Sequence, residues 1–164
     1  MISIIMPVYN GLERLDDSIS SVLSQTFKDF EFIIINDEST DKSYELLQKY
    51  ASKDKRIRLF SNKNQGPGES LNFGVRQAKG QYLCFIDQDD MYEKTYIQSL
   101  YDVMSQSNVD FCVCYGLYFD HKGLKTPFGY PYFDSGIYNV SANKDKYPFY
   151  NCFIPQWAKM IRRS

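Results

Sequence analysis

No stretch of this chain approaches the ~20 consecutive apolar residues that span a bilayer. Met1-Ile-Ser-Ile-Ile-Met-Pro is apolar but too short, and without a basic flank, to read as a signal peptide. Neither sign of charge prevails: 19 Lys and Arg against 20 Asp and Glu give a formal net charge of −1. No global field therefore draws in nucleic acid or anionic lipid. The four cysteines, Cys84, Cys112, Cys114 and Cys152, have no CxxC spacing, and three lie in apolar runs. They read as reduced core thiols, which suits a cytoplasmic chain, rather than as zinc ligands or a disulfide framework. The single histidine, His121, follows a strand-like run and reads as a surface-loop residue. Only Gly11 follows the first apolar run, so the GxGxxG of a dinucleotide-binding turn is missing. Internal repeats and low-complexity segments are absent too.

What is present describes an ordinary globular domain. The 164 residues are 43% hydrophobic and 24% charged, about one domain's worth. Aromatics reach 16% and thicken towards the C-terminus. Ile2 to Val8 is an unbroken apolar run of strand length, the habit of a strand buried on both faces. Leu12, Leu15, Ile19, Val22 and Leu23 then recur at helical spacing. Phe30 to Ile35 predicts a second buried strand, followed by the polar run Asn36 to Asp41, suited to a loop and helix N-cap. Tyr44, Leu47 and Tyr50 mark a helix, and Ile57 to Phe60 a weaker strand. After a loop at Asn62–Gly68, helical spacing runs through Leu71, Val75 and Ala78 to Gly80, which has the character of a C′ residue. A strand over Tyr82 to Ile86, a helix around Tyr96 to Met104 and a strand over Asp110 to Phe119 complete the pattern. Strand and helix alternating with short connections predict a parallel sheet covered on both faces. Beyond His121 no period is legible, and Trp157 to Ser164 reads as the start of an element.

The fourth strand ends in three carboxylates within four positions, Asp87, Asp89 and Asp90. Asp87 and Asp89 share a side while the chain stays extended. Such crowded like charges resist ionisation unless a cation neutralises them. A hard, oxygen-seeking Mn²⁺ or Mg²⁺ ion, held by one or two carboxylates and completed by phosphate oxygens, answers that need. A solvated acidic turn is the plainer alternative. In open parallel sheets ligands bind beyond the carboxyl ends of the strands. Three such ends are polar here: Pro7-Val8-Tyr9-Asn10, Asp37, and the acid cluster. Tyr9 offers a ring for a base, Asp37 an acceptor, and the acids a metal for a diphosphate, the parts a sugar nucleotide requires. Taken singly, Tyr9 is also consistent with packing and Asp37 with a turn.

Six patches in order strengthen that reading: Ser3-Ile-Ile-Met-Pro-Val-Tyr-Asn, Ser21-Val-Leu-Ser-Gln-Thr-Phe, Phe32-Ile-Ile-Ile-Asn-Asp-Glu-Ser-Thr-Asp, Asn64-Gln-Gly with Asn72-Phe-Gly, Ala78-Lys-Gly-Gln-Tyr, and Phe85-Ile-Asp-Gln-Asp-Asp. Together they resemble the nucleotide-sugar-binding part of a family 2 glycosyltransferase of the GT-A fold, closely over about residues 1 to 105. The resemblance implies a Rossmann-like three-layer α/β sandwich with a mostly parallel sheet, truncated at its C-terminus. Residues 1–120 would form the nucleotide-sugar-binding α/β domain, and 121–164 the start of an acceptor-side region of the same domain. Pro7, Val8 and Tyr9 would line the nucleoside pocket, and Asp37 would hydrogen-bond the base, usually uracil. Asp89 would be the metal ligand of a DxD motif, with Asp87 near the ribose or the metal. Asn64, Gly66 and Asn72 would approach the nucleotide, whereas Leu71 stands where many members carry Arg.

The implied reaction is inverting transfer of a sugar from a nucleotide-sugar, a UDP-sugar by expectation, to a hydroxyl of a saccharide or lipid-linked acceptor. The setting would be surface polysaccharide or glycan synthesis in the cytoplasm, at the inner face of the membrane. In the family the general base generally follows the Trp-Ala-Lys region, often in a Glu-Asp pair, and no such pair follows Trp157 here. Asp120, Asp134 and Asp145 are the remaining downstream acids, outside any matching motif. A non-catalytic or truncated nucleotide-sugar-binding module without its base is therefore the alternative reading. A haloacid dehalogenase-type phosphotransferase would want its Asp-x-Asp on the first strand with Thr or Val after it, where this chain has Asp90. A sugar-nucleotide pyrophosphorylase would want a basic, Gly-rich first loop.

Overall fold

The unbroken apolar run at the start forms β1, Ile2–Val8, buried at every position. The computed structural model describes residues 1–63, 66–114, 116–119, 125–128 and 159–163. β1 pairs in parallel with β2, Phe30–Asn36, and on its other side with β4, Tyr82–Phe85. β2 continues in parallel to β3, Ile57–Ser61. The connecting helices are α1, Leu12–Leu23, α2, Ser43–Ala51, and α3, Pro67–Gln77. α4, Tyr96–Gln106, follows β4 and leads to the short β5, Phe111–Val113.

The sheet has six strands in the order β3-β2-β1-β4-β8-β5, where β8 is Lys159–Arg162. Strands β6, Gly116–Phe119, and β7, Lys125–Phe128, form a separate antiparallel pair. The run from Asp110 to Phe119, expected to be one strand, is therefore two strands in two sheets. β5 pairs antiparallel with β8 for only three residues, and the chain then leaves the main sheet. The segment after His121, where no period was legible, contributes both β7 and β8. β8 inserts antiparallel between β4 and β5, making the Lys-Met-Ile-Arg part of the tail a sheet strand.

Strand alternation divides the interior in two. One core gathers Ile4, Met6, Phe32, Ile34, Cys84 and Met160 under α1, α2 and α4. The other gathers Ile5, Ile33, Ile35 and Leu83 under α3. This is a three-layer sandwich. α1 and α2 wind from β1 outwards to β3, whereas α3 returns across β1 to β4. Right-handed crossovers put α3 on the opposite face when the winding reverses. The reversal makes a topological switch point between β1 and β4.

α3 stops at Gln77 and its C-cap is Ala78, so Gly80 is not its C′ residue. Gly80 instead lies where a Cβ would come within 2.5 Å of the Ser3 backbone nitrogen. Its N–H donates to the Ser3 Oγ, at 2.8 Å. The Ser3 hydroxyl in turn donates to Glu31, which also accepts from Arg58 and from the Lys79 N–H, each at 2.6 Å. A charge in an otherwise apolar strand is tolerable because each of these donors favours the ionised form. Burial pushes the Glu31 carboxyl up, but the three hydrogen bonds and the Arg58 charge outweigh it and the net shift is downward.

A carboxyl whose folded pKa is depressed adds stability above its unfolded pKa, near 4, and loses it as pH falls through the lower folded value. Glu31→Gln should therefore cost about 1–3 kcal/mol at pH 7. The difference from wild type should shrink as pH falls below about 4 in urea titrations. A difference independent of pH would show that the carboxylate charge is irrelevant to the sheet.

Candidate active site at the switch point

Both strands that flank the switch point end in residues held by one another. Beyond β1, the Tyr9 N–H donates to the Gln88 Oε1 at 2.8 Å, and the Gln88 Nε2 donates back to the Tyr9 carbonyl at 3.1 Å. Gln88 is the residue between Asp87 and Asp89, so its carboxamide locks the acid loop to the end of β1. The Asn10 Oδ1 accepts from the Thr40 N–H at 2.8 Å and ties the same turn to the loop after β2. Asp37 is 2% exposed. Its N–H donates to the Val8 carbonyl at 2.8 Å. Its Oδ2 accepts from the Gly66 N–H at 3.1 Å, directly ahead of α3.

Backbone strain collects on the same edge. Asn10, Glu38 and Gly66 have φ of 49°, 61° and 87°. Asn tolerates the left-handed region, and the Gly66 combination with ψ of 165° is one that glycine alone adopts readily. Glu38 is not a residue type that favours this region, so the surrounding loop holds it there.

The acid loop is fixed from below by polar residues on the buried face of α1. The Ser18 hydroxyl lies 2.8 Å from the Gln88 carbonyl and 2.6 Å from that of Asp90. The Tyr92 N–H donates to the Ser21 Oγ at 3.0 Å. Gln25, wholly buried, donates to the Glu93 carbonyl at 2.7 Å and accepts from the Ile97 N–H at 3.0 Å. Ser18 was not singled out from the sequence, and Ser21, Gln25 and Gln88 entered only within the quoted patches, without a role of their own. The first three do leave a signal: polar residues at helical spacing among Leu15, Ile19 and Val22, on a face that should be apolar.

The structure brings Tyr9, Asp37, Gly66 and the acids to the carboxyl edge of the parallel strands. Pro7 is buried within β1, and Val8 packs its side chain into the α1-side core, so Val8 meets the edge through its carbonyl. Tyr9 is 46% exposed, and Asn72 lies exposed on α3. Asn64 falls outside the described residues, as do Asp120, Asp134 and Asp145.

Ile86 packs into the α1-side core, and Asp37 turns to the α3 side, where it meets Gly66. Burial and the Asp89 charge push the Asp87 carboxyl up. Burial, then Asp87 and Asp89, push Asp90 up to about 6. These acids thus destabilise one another as anions. Among the described residues no three His, Cys, Asp or Glu side chains form a complete metal cage. Hard carboxylate oxygens under mutual repulsion still fit an ion that takes one or two protein ligands and the rest from phosphate and water. No helix among the described residues is long and apolar enough to cross a membrane.

The doubly wound sheet with a topological switch point is an α/β fold of the GT-A type. The model of Glycosyl transferase family 2 matches residues 3–164, and the chain belongs to that family. It is 44% identical over 110 residues to an uncharacterised glycosyltransferase of Rickettsia felis, matching 67% of this chain and 18% of that protein. It is 35% identical over 174 residues to the cholesterol galactosyltransferase of Borreliella burgdorferi, matching 99% of this chain and 48% of that protein. Against these relatives the chain spans less than half their length. The crystal structure of S. aureus TarS 1-349 in complex with UDP-GlcNAc superposes with a TM-score of 0.63 at 27% identity, over 67% of this chain and 32% of that one.

Removing the carboxamide that bridges β1 and β4 tests the lock. Gln88→Ala should cost about 1–2 kcal/mol in urea unfolding, the worth of two partly exposed hydrogen bonds. Gln88→Glu should do no better, because a carboxylate cannot donate to the Tyr9 carbonyl and adds a fourth charge to the loop. Wild-type stability in both variants would remove Gln88 from this role.

Proposed function

We propose that this edge binds a nucleotide-sugar, a UDP-sugar by preference, and that the chain is the donor-binding part of an inverting glycosyltransferase acting on an acceptor hydroxyl. One observation carries this reading: in a family 2 chain, Asp37 and the Asp87–Asp90 loop follow parallel strands on either side of β1, at the switch point. In support, the Tyr9 ring stands exposed just past the end of β1, between the two strands that lead to Asp37 and Asp87, and is free to stack on a base. Asp37 would accept a hydrogen bond from the base, and Pro7 and Val8 would shape the pocket behind Tyr9. Asn64, Gly66 and Asn72 would close over the nucleotide from the α3 side.

Asp89, with Asp87, would hold a Mn²⁺ or Mg²⁺ ion, which supplies positive charge to the departing diphosphate. The protein's own part is to hold those carboxylates before the donor arrives. Gln88 fixes the loop from the β1 side and Ser18 from the helix side, so little rearrangement is needed when charge develops. A carboxylate general base would take the acceptor proton, contributing ~10²–10⁴-fold. We place the chain in the cytoplasm, at the membrane's inner face, in surface polysaccharide or glycan synthesis with a saccharide or lipid-linked acceptor. Residues 1–120 would serve the donor, and 121–164 would begin the acceptor side.

Asp89→Ala should abolish Mn²⁺-dependent UDP binding in calorimetric titration while leaving the thermal melt of the free chain nearly unchanged. Undiminished binding would exclude Asp89 as the ligand. Asp37→Ala should weaken UDP more than inorganic diphosphate, and equal loss for both would remove its base-reading role. Donor hydrolysis or transfer, measured alongside, separates a working transferase from a module that only binds.

A further inference from the structure

A groove of about 290 Å³ runs along the sheet on the α3 side, between that helix and strands β4 and β8. Its walls are largely apolar, made by Leu71, Val75, Phe85 and Ile161, and its polar side chains are those of Asn72 and Lys159. Lys159 comes from β8, the strand that inserts next to β4 from far along the chain. Met160 pairs with Cys84, so Lys159 lies across from Phe85, two residues before Asp87. The groove therefore reaches Phe85, the last residue of β4, just below the acid loop.

Lys159 makes no hydrogen bond or ion pair with any of the described residues. It is half-buried, and burial pushes its ammonium pKa down. A cation held in apolar surroundings, with no counter-ion among the described residues, is costly, and an anion brought into the groove offsets that cost. Leu71 adds no charge of its own, so the ammonium is the cation this groove offers an anion.

We propose that Lys159 binds the diphosphate of the donor, approaching it from β8 on the side opposite Tyr9. This rests on reading the edge as a nucleotide-sugar site. The diphosphate would then lie between the acid loop, with the ion Asp89 would hold, and the Lys159 ammonium. A strand from the end of the described chain thereby completes a site otherwise built from its first 90 residues.

The test titrates the full chain with UDP and with uridine at saturating Mn²⁺, in wild type, Lys159→Met and Lys159→Arg. Met retains the apolar stem, and thermal melts of each variant check that the sheet is intact. Loss of one charged hydrogen-bond donor should weaken UDP about 10-fold or more in Lys159→Met. Uridine should change by less than about 2-fold, and Lys159→Arg should recover most of the loss. UDP affinity unchanged in Lys159→Met, or an equal loss for uridine, overturns the assignment. So does tighter Mn²⁺ binding with unchanged UDP, the mark of a lysine that merely neutralises the acids. A wild-type chain that binds no UDP overturns the reading of the whole edge, which is distinct from failure of Lys159 alone.

Discussion

Strand β1 must serve two neighbours whose connections leave in opposite directions, and the rest of the molecule is arranged around that constraint. Seven buried residues in a row leave it no solvent face, so it has to lie centrally, with helices above and below. Once the chain has wound outwards through β2 and β3, the next right-handed crossover has to pass over the other face. The divergence of the two paths makes the carboxyl end of β1 the switch point, the position where open α/β sheets take ligands. Tyr9 and Gln88 tie the two strand ends together there.

The same edge concentrates features that a stable fold would otherwise avoid. Three residues take left-handed or glycine-only backbone conformations there, and two carboxyls have their pKa raised. The opposite end of the sheet shows the contrast. Glu31, also a carboxylate in the strand layer, is met by Ser3, Arg58 and Lys79, and its pKa falls. One acid is satisfied by the protein, whereas the acids of the loop are held close and left to repel one another. That difference, more than the presence of acids, sets the carboxyl edge apart as the electrostatically strained end of the sheet.

The sequence was informative where burial on both faces writes itself as an apolar run. β1, β2 and β4 stand out because Ile2–Val8, Phe30–Ile35 and Tyr82–Ile86 admit little or no alternation, and the amphipathic spacing of α1 to α4 follows the same logic. The break between β5 and β6 was hidden, and β8 showed only as the start of an element, because β5 and β8 pair over only three residues with partners distant in sequence. Gly80 misled because a glycine after a helix has two physical uses, a left-handed cap and room for close approach, and only coordinates distinguish them. Asp37 and Asp87 were legible as acids at strand ends. Gln88 was not, since a Gln between two Asp looks like a spacer until its carboxamide is found on the Tyr9 backbone.

Lys159 extends that lesson. A lysine in a short tail strand has no local signature, and its interest comes only from the antiparallel insertion of β8 beside β4. An antiparallel strand runs against its neighbours, so its first residues lie where theirs end. β8 therefore delivers its starting residue to the carboxyl edge, whereas a parallel strand would have to deliver its last. Inserting one reversed strand is thus a direct way to bring a cation beside the acid loop without lengthening any loop of the parallel core. The three-residue pairing of β5 then follows: it covers the outer edge of β8 and protects the strand that carries the lysine.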